Sequence, residues 1–118
     1  LIYSSIAVLG LGTLGGFVAN AISNLDTLEN LIIVDHDKIE LKNLKNSIYR
    51  QIDIGLTKTE ALSDILKNKN PGINIIALTE KYIEGKTHLP KCDIIIDCRD
   101  YTYDRGKEID VRLYISSR

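Results

Sequence analysis

An α/β doubly wound sheet, mainly parallel and with helices on both faces, is the fold that three features of the sequence predict. Short continuous apolar runs, "IAVL" at 6–9 and "LIIV" at 31–34, suit parallel strands covered on both sides. Stretches with helix-spaced apolar residues alternate with such runs along the chain. The first run passes directly into "GLGTLGG" at 10–16, a glycine pattern that turns a strand sharply into a helix. A Rossmann-like domain is the class that combines all three.

Taken in order, Ile6 to Leu9 is the first strand, and Leu14, Phe17, Val18, Ala21, Ile22 and Leu25 give the helical spacing that follows. Leu31 to Val34 is the second strand and ends in Asp35, about 25 residues after Gly10, near the separation expected of a β-α-β nucleotide unit. From Asp37 to Gly55 the chain is rich in Lys and Asn without sustained periodicity. It reads as a long functional loop with room for a short helix. Thr57 to Lys69 resumes helical spacing through Ala61, Leu62, Ile65 and Leu66, with Thr57 as N-cap, Glu60 completing a capping box, and "NPG" at 70–72 as terminator. Ile73 to Leu78 is a third strand, Glu80 to Leu89 a polar connection, and "CDIIIDC" at 92–98 a fourth strand. Tyr103 to Lys107 suits the start of a helix. Val111 to Ile115 fits either a final strand or the tail of that helix.

The 118 residues make one domain, 1–118, and 44% apolar residues are enough for a core. Lys and Arg number 15 against 16 Asp and Glu, so no global field draws the chain to nucleic acid or to an anionic membrane. No apolar run approaches the roughly 20 residues of a membrane span. The apolar start runs into the glycine motif rather than into a signal-peptide cleavage site, and a cytoplasmic location is expected. Cys92 and Cys98 lack CxxC spacing and read as small core or near-core residues; His36 and His88 lack the spacing of a zinc site.

Gly10, Gly12 and Gly15 form GxGxxG: a tight turn, a close approach of ligand to backbone, and a close packing of helix on strand. Backbone N–H groups at the helix start make a phosphate site. Asp35 stands where it can accept hydrogen bonds from ribose hydroxyls, or else cap the next loop. On these residues alone a dinucleotide, ATP and a plain tight turn all remain open.

"VDHDKIELKNL" at 34–44, "DIGLTKTEAL" at 53–62, "NPGINI" at 70–75 and "DIIIDCRD" at 93–100 resemble, in order and spacing, the ThiF/MoeB/HesA-type adenylating domain shared with the ubiquitin-activating enzymes. The resemblance covers roughly residues 5 to 105 and implies binding of ATP and Mg²⁺. It further implies adenylation of the C-terminal carboxylate of a ubiquitin-like or sulfur-carrier protein. Carried over, Gly10, Gly12 and Gly15 line the phosphates and adenine, Asp35 holds the ribose, and Asp37 belongs to the D-x-D pattern. Asn43 contacts the phosphates and Lys58 neutralises them. Asp100 holds the Mg²⁺, as a hard cation beside phosphates is usually held by carboxylate and water. Lys58, Arg50 and Asp100 form the implied catalytic set, in which no general base is needed because the attacking carboxylate is already ionised.

Three departures stand out. Thr13 replaces a further glycine of the family. Asn46 and Ser47 occupy the spacing of the family's arginine-glutamine pair, while "RQ" comes later as Arg50 and Gln51, so Arg50 is the candidate for the phosphate-facing arginine and a solvated loop arginine the alternative. The chain also ends soon after Asp100, which makes it the expected N-terminal portion of an adenylating domain. The alternatives are a binding-only truncated nucleotide module and an NAD(P)-binding Rossmann domain of an oxidoreductase. A homodimer would cover an apolar sheet edge or face left by the short chain.

Overall fold

Strands that are apolar on both sides need cover on both sides, and β1 (Ser4–Leu9) and β2 (Leu28–Val34) accordingly lie inside a five-stranded sheet. The computed structural model describes residues 4–100 and 112–115. β3 (Ile75–Leu78), β4 (Ile94–Asp97) and β5 (Arg112–Ile115) complete the sheet in the order β3-β2-β1-β4-β5. The first four strands run parallel, with Leu9 beside Val34 on one side and Asp97 on the other; β5 is antiparallel to β4. The segment ending at Ile115 is therefore a strand. The expected helix start at 103–107 lies outside the described residues.

From β1 the chain steps outward through β2 to β3, then returns to the other side of β1 as β4. The order reverses between β1 and β4, and the carboxyl ends of these two strands open the crevice in which such sheets bind ligands.

α1 (Thr13–Ile22) and α2 (Lys58–Lys69) pack on the face presented by Val8, Leu11, Leu31 and Ile33, through Ala19, Ala61, Leu62 and Leu66. The opposite face, Ala7, Leu9, Ile32 and Val34, is covered by Tyr82, Leu89 and Cys92 from the 79–93 connection. Among the described residues both helices thus lie on one side, and on the other the 79–93 connection, read from the sequence as polar, supplies the cover. That connection is polar and carries Gly85 at φ 79° and Pro90, neither of which suits a helix interior.

α1 differs from its apolar spacing in an informative way. Phe17 and Leu25 are exposed, whereas Gly15, Gly16 and Ala19 are buried. Gly15 lets the helix approach the Gly10 turn, Gly16 lets it approach Ile48 and Tyr49 of the long loop, and Val18 and Ile22 pack on the core.

The long loop after β2 contains two 3-10 turns, Leu41–Asn43 and Gln51–Asp53. Its ends are tied together where Ile39 N–H donates to Leu56 and Gly55 N–H donates to Ile39, at 2.8 and 2.9 Å. No helix is long and apolar enough to cross a membrane, among the described residues.

Candidate functional site

The three motif glycines have three separate geometric reasons. Gly10 has φ 82°, and a Cβ there would stand 2.8 Å from the Arg99 backbone, so the turn admits no side chain. A Cβ on Gly15 would lie 1.7 Å from the Gly10 carbonyl oxygen, which sets how closely α1 approaches β1. A Cβ on Gly12 would meet nothing within 4 Å. This middle glycine borders open space at the start of α1, and no side chain caps the helix there. The first N–H groups of α1 have no partner within the helix and suit an anion.

Asp35 lies just past β2, half-buried, and its carboxylate accepts two backbone N–H groups, Leu11 and Asp37, each at 2.7 Å. It fastens the glycine loop to the end of β2. An ionised carboxylate offers about four acceptor sites, so two such bonds leave capacity for ligand hydroxyls. The cap of the next loop and the ribose role are compatible on one side chain.

Asp37 carries the N-terminus of α2. Its carbonyl accepts the Lys58 N–H at 2.9 Å, and its carboxylate lies 3.6 Å from the Lys58 ammonium and 3.2 Å from His36 Nε2. Lys58 is 8% exposed, buried where its helix begins, and Asp37 supplies the anion that such a cation needs. Thr57 caps this helix, accepting the Glu60 N–H at 3.1 Å, which is the Thr57 half of the expected capping box. Asp35, His36 and Asp37 also bring potential ligand atoms within 4.8 Å of one another.

Asn43 and Arg50 are engaged within the loop. Asn43 accepts the Glu40 N–H at 2.8 Å, closing the first 3-10 turn. Arg50 donates to Asp53 at 2.9 and 3.1 Å and to Asp64 of α2 at 3.1 Å, so the structure pairs this arginine with carboxylates of its own loop and of α2. Asp53 is 1% exposed. Burial opposes its ionisation, but hydrogen bonds from the Arg50 side chain and backbone outweigh that and hold its carboxyl below the usual range.

Beyond β4, Asp97 is buried and bound by Arg99 through Nε at 2.9 Å and Nη2 at 2.8 Å, while the guanidinium lies 4.8 Å over the Tyr82 ring. Asp97 is structural, as its place in the strand suggests. Cys98 is half-buried against the core, and burial together with Asp97 pushes its thiol up to about 11, unsuited to a nucleophile at neutral pH. Asp100 is exposed, one residue past the Arg99 backbone that abuts Gly10. An exposed carboxylate is a hard oxygen donor and fits the chemistry of Mg²⁺.

Gly10, Gly12, Gly15, Asp35, Asp37 and Lys58 thus form one connected arrangement at the carboxyl ends of β1 and β2. Two further residues belong to it that have no role assigned from the sequence, although Arg99 lies within "DIIIDCRD". Tyr49 is buried, and its hydroxyl donates to the Leu11 carbonyl inside the glycine loop. Arg99 forms the wall against Gly10. The only sequence signal for Tyr49 is its position as the lone aromatic between 37 and 55.

The ThiF family model matches residues 1–118. The chain belongs to the ThiF family. Among curated proteins, the ubiquitin-like modifier-activating enzyme 5 of Caenorhabditis elegans is 35% identical over 109 residues, 81% of this chain and 26% of that protein. The Bombyx mori protein of the same name is 30% identical over 91 residues, 77% of this chain and 23% of its own length. The chain therefore spans about a quarter of these relatives. A crystal structure of E. coli MccB with ATP superimposes with a TM-score of 0.63 at 26% identity, over 69% of this chain and 24% of that one. E. coli TcdA in complex with ATP shares the fold, with a TM-score of 0.73 at 19% identity over 83% of this chain and 42% of that one.

Proposed function

We propose that this domain binds ATP with Mg²⁺ and adenylates the C-terminal carboxylate of a ubiquitin-like or sulfur-carrier protein. The observation that carries the reading is the open space over Gly12. It lies at an uncapped helix start beside the β1–β4 switch point, with the buried ammonium of Lys58 at the neighbouring strand end. Membership of the ThiF family supports it, as does likeness to a protein solved with ATP.

In this reading the substrate carboxylate attacks the α-phosphorus, the new oxygen–phosphorus bond forms, and the bond to the departing pyrophosphate breaks. The domain must align two anions and offset their charge, which is a matter of positioning and fixed dipoles. The glycine-loop amides hold phosphate oxygens, and Asp35 receives the ribose hydroxyls. Lys58 shifts from Asp37 toward the phosphates or shares its charge between them. Asp100 would hold Mg²⁺, which on binding neutralises phosphate charge and eases departure of pyrophosphate. Asn43 and Arg50 would add donors from the loop if nucleotide draws Arg50 from Asp53 and Asp64.

The test is exchange of labelled pyrophosphate into ATP. Exchange that depends on a carrier with a free C-terminal carboxylate, and stops when that carboxylate is amidated, is the expected result. ATP binding without carrier-dependent exchange would reduce the function to nucleotide binding.

A further inference from the structure

We propose that Tyr49 is a positioning residue that aims the Gly12 N–H into the cleft, toward a phosphate group; the inference rests on the nucleotide-binding reading above. Leu11, between the first two motif glycines, is held at both of its polar atoms. Asp35 accepts its N–H at 2.7 Å, and its carbonyl accepts the Tyr49 hydroxyl.

The peptides are trans, and in a planar trans peptide the N–H and C=O point in opposite directions. Fixing the Leu11 N–H toward Asp35 turns the Gly10 carbonyl away from Asp35. That carbonyl lies where a Cβ on Gly15 would strike it. Fixing the Leu11 carbonyl toward Tyr49 turns the Gly12 N–H away from Tyr49 by the same rule. Tyr49 is on the core side, 5% exposed, its hydroxyl 3.8 Å from where a Cβ on Gly16 would stand. The opposite direction is outward, over the open side of Gly12.

The long loop supplies the anchor for this hydroxyl. Tyr49 N–H donates to Ser47 Oγ at 3.2 Å, and the next residue, Arg50, fastens the segment to buried Asp53 and to Asp64 on α2. Burial, with the charges of Asp35 and Asp53, pushes the Tyr49 phenol upward, so it stays protonated and remains a donor. A phenylalanine would keep the ring and lose only the hydrogen bond, leaving the Leu11–Gly12 peptide free to rotate.

The test compares the full chain with its Tyr49→Phe variant by calorimetric titration with ATP and with adenosine. ATP affinity should fall roughly 10- to 150-fold, the equivalent of one hydrogen bond to a charged group, while adenosine affinity is unchanged. Equal losses for both ligands would reduce Tyr49 to a structural residue and overturn the proposal, as would no loss for ATP. A measurement on the unsubstituted, nitrogen-15-labelled protein applies even if the variant does not fold. The Gly12 amide resonance should move with ATP and stay in place with adenosine. An unmoved Gly12 at saturating ATP overturns the role of Tyr49 and leaves nucleotide binding standing; binding of neither ligand overturns both.

Discussion

The Asp35 carboxylate holds the Leu11 N–H at 2.7 Å across 24 residues of sequence. The acid at the tip of β2 is therefore part of the glycine loop before any ligand arrives. Asp35→Ala should cost about 1–3 kcal/mol of stability, the usual penalty for leaving a partly buried donor unsatisfied. It should also weaken ATP binding. Urea unfolding and calorimetry separate the two effects; unchanged stability would contradict the clamp.

Gly12 and Gly15 should respond oppositely to alanine. At Gly15 the added methyl would lie 1.7 Å from the Gly10 carbonyl oxygen, and the variant should lose at least about 1–3 kcal/mol or fail to fold. At Gly12 nothing lies within 4 Å and φ is −69°, so Gly12→Ala should fold with a near-normal melting temperature and bind ATP weakly. Thermal melts and ATP titration of both variants check the contrast.

Lys58 and Asp100 divide the expected catalytic burden. Lys58→Met should lower pyrophosphate exchange by about 10²–10³, the range for loss of one preorganised donor to a developing charge. Asp100→Asn, at an exposed position, should change stability by no more than about 0.5 kcal/mol. Its effect should appear as a raised Mg²⁺ requirement, larger than the effect of Asp35→Ala on adenine binding. Exchange rates across a Mg²⁺ titration check this; identical Mg²⁺ dependence would remove Asp100 from the site.

Stability should fall in acid through Asp53. Its carboxyl titrates lower in the folded protein than in the unfolded chain, so its contribution is complete above the unfolded value, near pH 4. That contribution is lost as pH drops through the folded value. Asp53→Asn should be less stable at pH 7 by about 1–3 kcal/mol, and its stability should decline less between pH 5 and pH 2. Urea midpoints of both proteins over this range provide the comparison.

The four parallel strands and α2 were legible because their signals are local. "IAVL" and "LIIV" state burial on both sides, and Thr57 with Glu60 states where a helix begins. α1 was legible in place and in part in orientation. Of its apolar positions Val18 and Ile22 pack on the core while Phe17 is exposed, and the close approaches are made by Gly15 against the Gly10 turn and Gly16 against Ile48 and Tyr49. The cover over Leu9 and Val34 comes from a segment with no periodicity and left no pattern to read. Within the candidate site, the glycines and Asp35 were proposed from spacing and Lys58 from the family resemblance. Tyr49 and the pairing of Arg50 with Asp53 and Asp64 were not, since these contacts depend on how an irregular loop folds back.

The choice of nucleotide is the center of the account, because GxGxxG followed by an acid serves NAD as readily as ATP. Calorimetric titration of the same protein with Mg-ATP and with NAD decides it. Saturable binding of Mg-ATP with weak or no binding of NAD is the predicted result, and binding of NAD without ATP would contradict it.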